Sequence, residues 1–268
     1  MKILVIGGSG FLGSKIVESL GEDCRSTYYR NQLFPNQIQL DLGDEMNIRR
    51  CLKQTKPEVV LHCGGLTDTD FCESNPDFAM RANCLGTEAL LNEFEGKIVY
   101  FSTDYVFDGE NAPYDERSQP NPINHYGKTK LFAERKVLER NGNLVVRVSG
   151  LYGKNKHNNK FLNRLRSKTL IQASTKLIST PTYINDVIEA LPDLIKMSGL
   201  VHFSGEQQFS RYEFLRKVVE GLGLSLEVQP SEYEIKSAKR PKNSSLISIY
   251  NFKKTKIENV LKEINEEI

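Results

Sequence analysis

The chain has 268 residues, enough for one large domain with a smaller lobe and a substantial buried core. Hydrophobic residues make up 39% and charged residues 26%, and a formal net charge of +2 without a basic tail or stripe gives no basis for a nucleic-acid or membrane-surface partner. No apolar run reaches the roughly 18 residues that span a bilayer, and the five cysteines lack paired spacing, so they read as reduced cytoplasmic thiols rather than a disulfide frame or metal site.

In chain order, Lys2 to Ile6 is a short continuous apolar run, the mark of a parallel strand buried on both faces, and because it runs straight into a glycine loop it reads as a first strand and not a signal peptide. It empties into Gly7-Gly8-Ser9-Gly10-Phe11-Leu12-Gly13, and Leu12, Ile16 and Leu20 then repeat at helical spacing. Strand, glycine turn and helix together suit a pyrophosphate held by backbone N–H groups at a helix N-terminus. The spacing is G-x-x-G-x-x-G rather than G-x-G-x-x-G. Arg25 to Arg30 reads as the second strand. An acid at such a strand end holds a ribose 2′-hydroxyl, whereas arginine suits a 2′-phosphate, so Arg30 points to NADP(H), with NAD(H) the alternative.

Ile38 to Leu42 is a further extended piece, and Asp44 is placed to cap a helix running to about Gln54. Pro57 to His62 is another buried strand, ending at Cys63-Gly64-Gly65, where the glycines allow close approach to a ligand or to a neighbouring loop. His62 reads as a hydrogen-bonded structural histidine. Asn75-Pro76 is expected to open a long helix with Asn83 in its middle. Lys97 to Phe101 is the next strand, followed by Ser102-Thr103-Asp104-Tyr105, with hydroxyl and carboxylate groups at the strand end where open α/β sheets bind ligands.

Asn121-Pro122 is expected to open the helix that carries Tyr126-Gly127-Lys128-Thr129-Lys130. Four residues apart, Tyr126 and Lys130 share one helix face, and an ammonium beside a phenol would lower the tyrosine's pKa toward a working acid or base. Asn143 to Val148 is a fifth core strand. The loop Lys154 to Lys160 reads either as a lid or as an ordinary solvated loop. Further helices are expected near Phe161–Ser167, Ile184–Lys196, Tyr212–Leu222 and Ile257–Ile268, with short strands near Leu200–Phe203 and Leu226–Gln229. The expectation is an α/β fold: a Rossmann-type doubly wound parallel sheet over residues 1–150, and mainly a small C-terminal lobe over 151–268. That lobe is expected to be noncontiguous and to close over the carboxyl edge of the sheet.

Four segments together resemble the extended short-chain dehydrogenase/reductases, and within them the dTDP-4-dehydrorhamnose reductase family. They are the Gly7/Gly10/Gly13 turn, Ser102 to Gly109, Tyr126 to Leu131, and Arg240-Pro241-x-x-Ser244-x-Leu246. The resemblance implies NADPH-dependent reduction of the 4-keto group of a nucleotide-activated deoxysugar, dTDP-4-dehydrorhamnose to dTDP-L-rhamnose in the family. It implies Tyr126 as proton donor, Lys130 as ribose ligand and polariser of Tyr126, and Thr103 as hydrogen-bond partner of the reacting oxygen. Gly7, Gly10, Phe11, Leu12, Gly13, Arg30, Asp41, Leu42 and Gly64 would join Tyr126 and Lys130 in holding the cofactor, and Thr103, Asp104, Arg240 and Ser244 would meet the substrate. A homodimer is compatible with this reading and no metal is implied. Two departures are visible: His62-Cys63-Gly64-Gly65 where the family carries Asn-Ala-Ala, and Gly150 where rhamnose reductases tend to carry tryptophan, a residue absent from this chain. Two alternatives share the scaffold: a non-catalytic NADP-binding regulator resembling the methionine adenosyltransferase β subunit, and a sugar-nucleotide epimerase or dehydratase.

Overall fold

The computed structural model describes residues 1–232 and 237–266. The first part alternates strand and helix: β1 (Ile3–Ile6), α1 (Phe11–Leu20), β2 (Cys24–Tyr28), β3 (Ile38–Gln39), α2 (Glu45–Thr55) and β4 (Val59–His62). Next come α3 (Thr69–Ser74), α4 (Pro76–Ala79), a π-helical turn over Met80–Leu85, and α5 (Gly86–Glu93). They lead to β5 (Lys97–Thr103), α6 (His125–Leu138) and β6 (Leu144–Val148). The remainder comprises α7 (Lys160–Arg166), β7 (Leu170–Ser174), β8 (Ile178–Ser179), α8 (Ile184–Leu194) and β9 (Gly199–Phe203), then β10 (Phe209–Ser210), α9 (Arg211–Gly221), β11 (Glu227–Ser231) and α10 (Ile257–Glu266).

Seven parallel strands form one sheet in the order β3-β2-β1-β4-β5-β6-β9. The apolar runs of β1 and β4 are buried at every position, as a sheet covered on both faces requires. The chain winds outward in opposite directions from β1, through β2 on one side and β4 on the other. This creates the crevice at the carboxyl ends where such sheets bind ligands. One face packs Leu4, Ile48, Leu90 and Val145 under α2, α5 and α6. The other packs Val5, Ile16, Val146 and Val187, and its apolar cluster continues through Tyr152, Leu165 and Leu215. Residues 184–203 thus rejoin the sheet through α8 and β9, whereas β7 pairs with β11 and β8 with β10 in two separate two-stranded sheets.

Several expectations are corrected. Regular β2 pairing stops at Tyr28, short of Arg30, and the piece expected over 38–42 pairs only at Ile38 and Gln39. The long helix expected from Asn75-Pro76 runs without interruption from Pro76 to Glu93, but a π-turn lies in its middle between α4 and α5, and the short α3 precedes it. Asn75 caps nothing through its side chain, which instead donates to the Phe71 carbonyl (3.1 Å). The catalytic-type helix opens at His125 rather than at Asn121-Pro122, because the Asn124 carboxamide accepts from the Gly127 N–H (2.8 Å) while Asn121 donates to Asp108 (2.9 Å). Asp44 does cap α2, accepting from the Asn47 N–H (3.2 Å). Strands β7, β8 and β10 had no counterpart in the sequence pattern. The expected last two residues of the terminal helix, 267–268, lie outside the described residues.

Candidate active site

The glycine turn is set by close backbone contact. Gly7 has φ +77°, and a Cβ there would lie 2.7 Å from the Gly64 Cα, so the loops after β1 and β4 touch where the sheet changes direction. A Cβ on Gly13 would lie 2.1 Å from the Gly7 carbonyl oxygen. Gly10 precedes α1 without a side-chain cap, no acid occupies the first turn, and the opening N–H groups of Phe11, Leu12 and Gly13 have no intrahelical acceptor. Leu12 itself is buried in the core, so only its backbone is available there. Arg30 is exposed just past β2, its guanidinium 5.3 Å from the Tyr29 ring centroid. Asp41 accepts from the Gly43 N–H (2.8 Å), and Leu42 packs against Gly64 and Gly86.

At the carboxyl end of β5, Thr103 and Asp104 face the first turn of α6. The helix comes close because position 127 is glycine: a Cβ there would meet the Tyr105 carbonyl oxygen at 2.1 Å. Tyr126 is buried, edge-on to Tyr105 at 6.1 Å. Burial pushes its phenol well above the ordinary tyrosine value, a hydrogen bond with the Thr103 side chain pulls back, and the charges of Asp104, Cys72 and Tyr105 add to the rise. Lys130 lies one turn on, also buried, but its ammonium turns to the sheet. It donates to the Phe101 carbonyl (2.8 Å) and sits 4.0 Å above the Tyr100 ring. The expected lowering of the Tyr126 pKa by Lys130 is therefore absent from this arrangement. Burial lowers the Lys130 pKa to about 8, against an opposing pull from Glu134.

Asp104 borders the cleft and is held by three hydroxyls. Its carboxylate accepts from Thr103 (3.2 Å), Ser149 (2.9 Å) and Ser244 (2.5 Å), tying β5, the end of β6 and the late Arg-Pro-x-x-Ser segment together. Burial raises its pKa against these three hydroxyls. Arg240 is likewise engaged: its guanidinium donates to Asp70 (2.9 Å) and to the Ala238 carbonyl (2.8 Å). Asn83, on the π-turn, grips the loop after β4 by accepting from the Leu66 N–H (2.7 Å) and donating to the Leu66 carbonyl (3.1 Å) and to Thr129 (3.0 Å). His62 accepts from the Gly64 N–H at Nδ1 (3.2 Å), which leaves Nε2–H to face Thr87 (3.2 Å). Burial, aided by Lys130, drops its pKa to about 3, so it is a neutral structural ring.

Sequence reasoning missed several contributors. The loop 154–160 is neither a free lid nor solvated throughout: Asn155 is fully buried and donates to the Phe11 carbonyl (2.7 Å) and Ser14 (2.9 Å), Asn158 donates to the Ser9 carbonyl (3.2 Å), and His157 packs on Phe34 at 4.5 Å. An asparagine-rich run beside a glycine turn gave no periodic signal. Asp70, Ser149 and the buried ion pair of Glu134 with Arg147 (2.7 Å) were equally silent, because each partner lies on a different element, outside any local spacing pattern. A cleft of about 740 Å³ opens beside Asp104 and Tyr105 toward the lobe, with Gly150, Tyr152, Arg164 and Ser244 among its walls. Among the described residues no His/Cys/Asp/Glu cluster could hold a metal ion, and no helix is long and apolar enough to cross a membrane.

This doubly wound sheet, its glycine turn at the switch point and its Tyr-x-x-x-Lys helix beside a strand-end Thr define an extended short-chain dehydrogenase/reductase fold. The chain belongs to the RmlD substrate binding domain family, whose model matches residues 1–265. It is 33% identical to methionine adenosyltransferase 2 subunit beta of Xenopus tropicalis, over 91% of this chain and 80% of that one. It is 29% identical to a probable low-salt glycan biosynthesis reductase of Haloferax volcanii, over 83% and 81% of the two chains. Among solved structures, the dTDP-4-dehydrorhamnose reductase of Bacillus anthracis in complex with NADP superposes with a TM-score of 0.86 at 29% identity, covering 100% of this chain and 99% of that one.

Proposed function

We propose that this chain is an NADPH-dependent reductase acting on the 4-keto group of a nucleotide-activated deoxysugar, with dTDP-4-dehydrorhamnose as the first substrate to test. The observation that supports the reading is the hydrogen bond between Tyr126 and Thr103 at the carboxyl end of β5, with Lys130 one turn further along α6 and the cleft opening beside the adjoining Asp104 and Tyr105. The unpaired N–H groups at the start of α1, without a competing acid, fit a dinucleotide pyrophosphate, and exposed Arg30 fits a 2′-phosphate. NAD(H) is the alternative cofactor. When bound, the nicotinamide supplies a hydride to the carbonyl carbon. Tyr126, held protonated by burial, delivers its proton to the carbonyl oxygen, while the Thr103 hydroxyl, rotating away from Asp104, donates to that oxygen as charge develops on it. Lys130 offers the buried positive charge of the site.

The second reading, a non-catalytic NADP-binding regulator, is favoured by the 33% identity to a methionine adenosyltransferase β subunit. Tyr126→Phe separates the two, since it preserves ring packing and removes the proposed donor. NADPH oxidation with the keto-sugar nucleotide should fall by about 10²–10⁴-fold while NADPH affinity holds. Equal inactivity of both proteins across a panel of keto-sugar nucleotides, with tight NADPH binding retained, would sink the reductase reading and support the regulator.

A further inference from the structure

Lys130 has an unusual seat for a buried cation. An ammonium carries three donors, and the hydrogen bond described for this one goes to the Phe101 carbonyl (2.8 Å). Glu134, one turn further along α6, commits both carboxylate oxygens to Arg147 at 2.7–3.1 Å. The other titratable groups facing Lys130 come from every neighbouring element, and none supplies an unpaired anion. His62 at the end of β4 is neutral. Burial holds Cys63 beside it and Cys84 on the π-turn at about 12, so both thiols stay protonated. Tyr126 on the same helix and Tyr100 on β5 are also kept protonated by burial. What remains against the ammonium is the face of Tyr100, fully buried, its centroid 4.0 Å away and its edge fixed by a T-shaped contact with His62 at 5.1 Å. The negative face of an aromatic ring attracts a cation most strongly where water is excluded.

We propose that Tyr100 is a positioning residue whose ring face seats the Lys130 ammonium and keeps it charged inside the protein. Tyr100 lies three residues before Thr103 on the same strand, so the ring and the Phe101 carbonyl fix the cation relative to the strand end that carries the candidate site. The catalytic consequence rests on the reductase reading; the seat itself does not.

The test is an NMR titration of the full chain carrying ¹³C-labelled lysine, with the Lys130 signal assigned by its loss in Lys130→Met. Tyr100→Phe keeps the ring face and should leave the Lys130 pKa within a few tenths of wild type. Tyr100→Leu removes the face and should lower it by about one unit. Where Tyr100→Leu fails to fold, a fluorinated phenylalanine incorporated at position 100 keeps the shape while withdrawing ring electron density, and it should give the same downward shift. An unchanged Lys130 pKa in the fluorinated variant overturns the proposal. The pH–rate profile is the second readout: an alkaline limb that moves down with the NMR value supports both the seat and its use in turnover. An NMR shift without movement of the limb leaves the seat standing and counts against the reductase role of Lys130.

Discussion

Arg240 was expected to meet the substrate, and its ion pair with Asp70 changes what its removal should do. The segment around it is fastened at three points: Arg240 to Asp70 (2.9 Å), Asn124 to the Lys239 carbonyl (2.9 Å), and Ser244 to Asp104 (2.5 Å). The two side chains of the pair are 11% and 31% exposed. Burial pushes the Asp70 pKa up, but the Ala238 N–H, Arg240 and Ser237 outweigh it and bring the group from 3.8 to about 2. That lowering corresponds to about 2 kcal/mol favouring the carboxylate, shared among Arg240, the Ala238 N–H, Ser237 and the other partners of Asp70. With solvent screening at the exposed edge, the share of Arg240 is about 1 kcal/mol. A double-mutant cycle of Arg240→Ala and Asp70→Asn, followed by urea unfolding at neutral pH, should therefore return a coupling of about that size. The sign with pH follows from a depressed folded pKa. The contribution is fully present above the unfolded value near 3.8 and is lost as pH falls from there through about 2, so Asp70→Asn should flatten that part of the stability curve. Under the reductase reading, Arg240→Ala and Asp70→Asn should raise substrate KM alike, because both loosen the same segment. A tenfold rise confined to Arg240→Ala, with no coupling energy, would refute the clasp and restore a direct substrate contact.

Asn83→Ala should destabilise the protein by about 1–3 kcal/mol in urea unfolding, since it removes the partner of the half-buried N–H and carbonyl of Leu66, while the Thr129 hydroxyl keeps its bond to the Tyr126 carbonyl (2.8 Å). A loss below about 0.5 kcal/mol would mean that water replaces all three bonds. Asn155→Ala should weaken NADPH binding about 5–10-fold by calorimetry, because the start of α1 loses its tie to the 154–160 loop at Phe11 and Ser14. Unchanged affinity would show that the loop does not shape the glycine turn.

What the sequence disclosed and what it withheld have separate physical reasons. Buried parallel strands are written as continuous apolar runs, so β1 and β4 were legible, and the glycine turn was legible because strand, glycines and helix are adjacent in the chain. Caps within a few residues were partly readable: Asp44 was found, but Asn121-Pro122 drew attention away from Asn124, three residues on. Rotamer direction was not readable. The spacing of Tyr126 and Lys130 puts both on one face of α6, yet the flexible lysine stem carries its ammonium to Phe101 instead of the phenol. Pairings across long separations were invisible for the same reason that a lone Asp or Arg has no period. Asp70 and Arg240 are 170 positions apart, and Asn155 reaches Phe11 across 144.

Under the reductase reading, the two buried groups on α6 favour one direction of the reaction. A phenol used as a base to oxidise an alcohol must lose its proton near neutral pH, which needs a lowered pKa; a phenol used as an acid to reduce a carbonyl must keep it. Burial and the neighbouring Asp104 act on Tyr126 in the second sense, outweighing the Thr103 hydrogen bond. Tyr126 is thus loaded with its proton throughout the range in which Lys130, lowered to about 8 by burial, changes from ammonium to amine. Under the reductase reading, kcat/KM for keto-sugar reduction should be level on the acid side of that value and fall above it with loss of one proton. The reverse oxidation should instead rise with pH. Lys130→Met should lower the plateau and abolish the limb near 8, whereas Tyr126→Phe should lower the plateau and leave the limb in place. An alkaline limb that survives in Lys130→Met would assign it to another group. A Tyr126 phenolate detected by ultraviolet absorbance below about pH 9, present in wild type and missing in Tyr126→Phe, would contradict the acid role and turn the argument toward oxidation.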